Sequence, residues 1–147
     1  MHRRALLLAP FSLAIARSVE AASFTLGAIE VAHPWAAPSV TEAAAMFASI
    51  VNNGARPDRL IGGTTPVASA VIFRAHDGTP LEYYDLLPKR PVNLRPGRRY
   101  IALRGLKSPL ALDDTFPLTL RFAEAGSITI SVVVEAGPED DGSASAG

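Results

Sequence analysis

Apolar and polar residues alternate with a period of two along most of this chain, and the alternation stops at clusters of Gly, Pro and Asn. In Phe116-Pro117-Leu118-Thr119-Leu120-Arg121-Phe122 the two Phe and two Leu residues share one face of a strand. Ile128, Ile130, Val132 and Val134 repeat the pattern. Ile29 and Val31 alternate with Ala28 and Glu30, and the apolar run 47–51 ends at Asn52-Asn53-Gly54, a strong turn signal. Arg59-Leu60-Ile61 stops at Gly62-Gly63, and Val71-Ile72-Phe73 leads into the turn His76-Asp77-Gly78. Residues 81–87 read as a strand cut off by Pro88 and Pro91, and Val92-Asn93-Leu94 precedes the turn Arg95-Pro96-Gly97. Many short strands with turns between them predict an all-β sandwich or small barrel. Its predicted core holds Trp35, Phe47, Leu118, Leu120, Ile130 and Val132. Pro117 suits an edge or the start of a strand. Residues 40–48, with Glu42-Ala43-Ala44-Ala45-Met46, are the one stretch equally readable as helix.

The ends carry no fold signal. Met1-His2-Arg3-Arg4 is basic, residues 5–16 are mostly apolar, and Val19-Glu20-Ala21 fits the small-x-small cleavage rule. Residues 1–21 therefore read as a secretory signal, and the mature chain is expected to begin at Ala22. The apolar run is too short for a bilayer span. Arg3-Arg4 permits the twin-arginine route as well as Sec. Residues 137–147 are acidic and then rich in Gly, Ser and Ala, which predicts a disordered tail. Between them, residues 22–136 form one predicted domain.

Cysteine is absent, so disulfides and the Cys-based zinc, haem and thiol-redox motifs are excluded. Cleavage after Ala21 removes three arginines and one glutamate from fourteen basic and fourteen acidic residues. The small negative balance that remains excludes a general nucleic-acid binder, and no later segment is apolar enough to enter a membrane. No Gly-x-Ser-x-Gly, Cys nucleophile or His-rich metal triad is present, and Asp113-Asp114 reads as a turn rather than an acid–base pair. The chain is read as no enzyme.

Tyr100-Ile101-Ala102-Leu103-Arg104-Gly105-Leu106-Lys107-Ser108-Pro109-Leu110 is the most informative segment. It is a strand entering a Gly turn, with Tyr100, Ala102 and Arg104 on one face. It resembles the metal-binding segment of the PCu(A)C family of periplasmic Cu(I) chaperones, where His-x-Met precedes "GLK-x-PL". The likeness extends over residues 29–134. Ile29-Glu30-Val31-Ala32-His33-Pro34-Trp35-Ala36 resembles the family's opening strand. Asp58-Arg59-Leu60-Ile61-Gly62 resembles its "DRLVG", Leu94-Arg95-Pro96-Gly97 its "LxPGG", and Pro117-Leu118-Thr119-Leu120-Arg121-Phe122 its "PLTLxF". The resemblance implies a cupredoxin-like antiparallel Greek-key β-sandwich, with a role in copper handling and cytochrome c oxidase assembly.

The family's ligand positions fall on Arg74, on the 81–83 region, and on Tyr100 and Ala102. Cu(I) is soft and favours thioether and imidazole donors. Arg is always protonated, Ala has no donor and neutral Tyr suits a soft ion poorly. The resemblance thus implies Cu(I) as cargo, while the residues imply weak or lost binding, and no resident cofactor is expected. His33, Met46 and His76 are the weak substitute donors; surface, core and turn roles respectively are their plainer readings. A second pattern is cationic. Lys89, Arg90, Arg95, Arg98, Arg99, Arg104 and Lys107 crowd one region. Arg74, Arg98, Arg99 and Arg104 are candidates for binding an anion or a partner protein. The alternative function is therefore an exported binding module with an Arg-lined face, and the plainer reading is a solvated edge. Pairing of Arg74 with Glu82 or Asp85 would fill that face internally. Asp58 with Arg56 and Arg59 reads as a local ion-pair turn.

Overall fold

The computed structural model describes residues 22–137, so the predicted signal over 1–21 and residues 138–147 of the predicted tail lie outside it. Eleven strands follow one another: β1 Ser23–Leu26, β2 Ile29–Ala36, β3 Ala43–Asn52, β4 Asp58–Thr64, β5 Ala70–Arg74 and β6 Pro80–Leu81. They continue with β7 Tyr84–Leu86, β8 Val92–Leu94, β9 Tyr100–Arg104, β10 Thr115–Phe122 and β11 Gly126–Val134. No helix occurs among the described residues. The helix-or-strand ambiguity at residues 40–48 resolves as strand from Ala43 onward. There β3 is paired on both sides, and Met46, Phe47 and Ala48 are buried.

The strands form one continuous path, β6-β5-β9-β3-β2-β11-β10-β4-β7, with β1 added to β2 and β8 to β3. Its two end strands, β6 and β7, are joined in sequence by Glu82 and Tyr83 alone. The path must therefore curl back on itself into a nearly closed sandwich. Phe73 of β5 meets Tyr84 of β7 across that closure, with ring centroids 5.1 Å apart. One ladder departs from the antiparallel expectation: β11 runs parallel to β2, with Val133 opposite Trp35 and Val134 opposite Ala36.

The period-two pattern sorts as sequence predicts. Trp35, Phe47, Leu118, Leu120, Ile130 and Val132 are all buried, within or against one apolar cluster. Pro117 lies in β10 opposite Ser131 of β11, before the pairing of β10 with β4 begins at Thr119. Its missing N–H therefore breaks no ladder. β2 bulges between Ala32 and Trp35, where His33 adopts φ 49°. No helix of the described residues is long and apolar enough to cross a membrane.

Candidate functional site

Arg74 is the last residue of β5 and Tyr100 the first of β9, and the two are direct cross-strand partners. Ala102, two residues on, faces the same way as Tyr100 and pairs with Ile72 and Ala45. Arg74, Tyr100, Ala102 and Arg104 line one recess of about 410 Å³, floored by Ala43, Ala44 and Ala45. The face expected from the strand alternation therefore borders a shallow, open recess.

Both guanidiniums there are engaged. Arg74 donates through Nη1 to the Gly78 carbonyl at 2.9 Å, on the turn that follows its own strand. Glu82 and Asp85 do not pair with it. Asp85 instead accepts from Arg59 at 3.1 Å, and the Arg59 guanidinium lies 4.2 Å from the centre of the Tyr83 ring. Arg104 pairs with Glu42, Nη2 to Oε2 3.0 Å, while Glu42 Oε1 accepts the Gly105 N–H at 2.8 Å. The Gly105 N–H, then Arg104, hold the Glu42 carboxyl below its usual range. Arg104 is thus paired by the exposed Glu42, which sequence reasoning had not considered because it lies 62 residues away.

Tyr84 lies in the core behind the Arg74–Tyr100 pair. Its hydroxyl accepts the Arg74 N–H at 3.1 Å and faces the carbonyl oxygens of Arg74 at 2.8 Å and Tyr100 at 2.6 Å. The side chain is 1% exposed. Burial pushes its phenol up to about 12. A neutral donor is thereby locked beneath the Arg74–Tyr100 pair.

The substitute donors do not gather. Met46 is fully buried on β3 opposite Ile101 and Ala36. His33 sits on the β2 bulge with Nε2 3.0 Å from Glu135 Oε1. His76 is exposed in the turn after β5 and lines a different recess, with Arg95, Arg98 and Arg99. Among the described residues no group of three or more His, Cys, Asp or Glu is placed to hold a metal ion. The side chains at the three family ligand positions, the Arg74 guanidinium, the Tyr100 phenol and the Ala102 methyl, do not fit Cu(I). The four candidate arginines also divide: Arg74 and Arg104 line the first recess, Arg98 and Arg99 the second.

Asp58 corrects another reading. It makes no ion pair with Arg56 or Arg59. Its carboxylate is buried and accepts the N–H groups of Arg59 at 2.7 Å, Glu124 at 2.7 Å and Ala125 at 3.0 Å. It is a structural clasp between the start of β4 and the β10–β11 turn.

The LpqE-like family profile matches residues 29–134, which is most of the chain. The chain belongs to the LpqE-like family. Solved structures place this LpqE-like chain beside PCuAC domains. It is 29% identical to the apo PCuAC domain from PmoF1, with a TM-score of 0.73 over 80% of this chain and 100% of that one. It is 28% identical to the copper-bound PCuAC domain from PmoF2, with a TM-score of 0.74 over 80% and 99%. The Cu(I) form of DR1885 from Deinococcus radiodurans shares the fold at 17% identity and a TM-score of 0.61, over 82% and 85%. No curated protein sequence matches. The likeness to PCuAC domains read from the sequence therefore holds at the level of family and fold.

Proposed function

We propose that this chain is an exported, non-enzymatic member of the PCuAC copper-handling group that keeps the scaffold and has given up tight Cu(I) binding. One observation carries the reading. The cross-strand pair and the next residue on the same face, where the family resemblance puts soft ligands, are Arg74, Tyr100 and Ala102. A guanidinium there adds repulsion as well as lacking a lone pair. Two unit charges ~4 Å apart repel by about 1 kcal/mol in water and by several times more in a drier site. Kinship to a copper-bound PCuAC domain supports the copper-handling context. The role in copper handling and cytochrome c oxidase assembly is then exercised through protein contacts in the periplasm, with Cu(I) as a cargo that this member does not itself hold.

The deciding experiment is a competition titration of residues 22–147 with Cu(I) against a chromophoric chelator. The expected result is no transfer of copper from the chelator to the protein. One equivalent held as tightly as by a His/Met chaperone would overturn the reading, and His33, Met46 and His76 would be the first residues to replace.

A further inference from the structure

The basic residues that the first recess leaves unused converge on one turn. β8 and β9 lie in line along the same edge of β3: Leu94 is opposite Ala48, and Ile101 is opposite Met46. Between them the chain leaves the sheet through residues 95–99. The Arg98 N–H donates to the Arg95 carbonyl at 2.9 Å, and the Arg95 N–H donates to the Arg99 carbonyl at 3.1 Å. Pro96 and Gly97, the latter at φ 80°, occupy the central positions, as a type II turn requires. Two backbone hydrogen bonds thus close the excursion, which carries Arg95, Arg98 and Arg99.

Beside it lies a recess of about 550 Å³, lined by those three arginines with Asn93, Pro91 and His76. Its position follows from the topology. β9 is covered by β5, which ends at Arg74 opposite Tyr100. β8, the continuation of β9 along β3, has β3 as its only strand partner among the described residues. The recess therefore lies where the sheet lacks the strand that would extend β5. The carboxylate–cation pairs among the described residues are all elsewhere, at His33–Glu135, Arg59–Asp85 and Arg104–Glu42. Arg99 instead has its guanidinium carbon 5.6 Å from the centre of the Tyr84 ring and pairs with no carboxylate of the described residues.

We propose that this recess is a docking site for an extended acidic segment of a partner protein. Guanidinium forks match carboxylates in bidentate geometry, and an uncovered strand edge offers backbone hydrogen bonds to an added strand. An open trough with its charges spread along a turn fits a chain better than a small enclosed anion. A membrane surface fits less well. Surface-binding elements combine basic with apolar side chains, and the exposed large apolar residues, Val40, Leu87 and Leu112, line no part of the recess. The proposal is independent of the copper reading, because the two recesses share no lining residue.

The probe is a fluorescein-labelled ten-residue peptide alternating Glu with Val and Thr, followed by anisotropy with the mature chain. Binding is expected at low salt and should weaken as ionic strength rises. Arg95→Glu/Arg98→Glu should weaken it by at least about tenfold, the loss typical of one charge-assisted contact. Arg121→Glu, an equal change per site on exposed β10, should alter it less than about twofold. Equal loss in the Arg121 variant would reduce the effect to net charge and overturn the site. So would displacement of the peptide by inorganic phosphate at matched ionic strength, which would indicate a small-oxyanion site. Binding of phosphatidylglycerol vesicles with no peptide binding would overturn it in favour of a membrane surface. Circular dichroism of each variant confirms that the fold is kept.

Discussion

The Tyr84 hydroxyl lies 2.6 Å from the Tyr100 carbonyl oxygen and 2.8 Å from that of Arg74, so one side chain ties β7 to the paired ends of β5 and β9. Strands from opposite ends of the sheet path are joined by a hydroxyl rather than by a ladder. Tyr84→Phe removes the acceptor of the Arg74 N–H and the one hydroxyl proton that the two carbonyls share. A loss of about 1–3 kcal/mol is expected in urea unfolding, as a lower midpoint at unchanged slope. An unchanged midpoint would mean that the closure is held by packing alone.

The same residue sets a pH dependence. Burial raises the Tyr84 phenol from its ordinary value near 10 to about 12, so the folded state favours the neutral form. Its contribution is complete below pH 10 and is lost as pH rises through 12. Wild type should therefore lose stability across that window more steeply than Tyr84→Phe. Parallel curves for the two proteins would contradict the assignment.

Glu42 behaves in the opposite sense at the acid end. Its carboxyl is held below the ordinary range first by the Gly105 N–H and second by Arg104. The stabilisation it gives is present above its ordinary range and is lost as pH falls through the folded value. Carboxyl NMR should report a depressed midpoint that persists in part in Arg104→Ala, because the backbone donor remains. A midpoint returned fully to the ordinary range in Arg104→Ala would assign the whole effect to the ion pair.

Restoring soft donors tests the register. Arg74 and Tyr100 are opposite one another, so their Cβ atoms stand about 5 Å apart, and Ala102 lies about 7 Å along the same face. The triple substitution Arg74→His, Tyr100→His and Ala102→Met should bind Cu(I) more tightly than wild type in chelator competition, by at least about tenfold. It should fall short of a full His/Met site, because residues 81–83 offer no Met. No gain would show that these positions do not converge on a metal.

Asp58 holds three backbone N–H groups from two separate segments. Asp58→Ala should cost about 3 kcal/mol, since charge-assisted bonds are lost and buried donors are left unpaired. Asp58→Asn, which keeps an acceptor oxygen, should cost less. Equal losses would assign the effect to the charge rather than to the bonds.

These residues also mark where sequence reading stops. Alternation gives the strands of β10 and β11 and the buried face that includes Leu118, Leu120, Ile130 and Val132, because each strand's faces are set locally. The aligned segments gave the positions of Arg74, Tyr100 and Ala102, and strand pairing then brought them together. Glu42 opposite Arg104, Tyr84 beneath Arg74 and Asp58 beneath Glu124 depend on segments distant in sequence that meet only once the sheet has curled. No local period encodes such meetings. The parallel β2–β11 pair escaped for the same reason. Arg95 was visible as a charge, but its place beside an uncovered strand is a property of topology.

The bulge at His33 gathers both ends of the described chain. The Ala22 carbonyl accepts the His33 N–H at 2.7 Å, and the Glu135 carboxylate meets its imidazole at 3.0 Å. Residues 22 and 135 are thus neighbours in space, and a short Gly/Ser linker would join them without strain. The domain is accordingly suited to circular permutation, with new ends opened at the exposed Asn53 turn. Such a permutant would carry its attachment points at the Asn53 turn instead of beside His33, which borders a recess shared with Arg95.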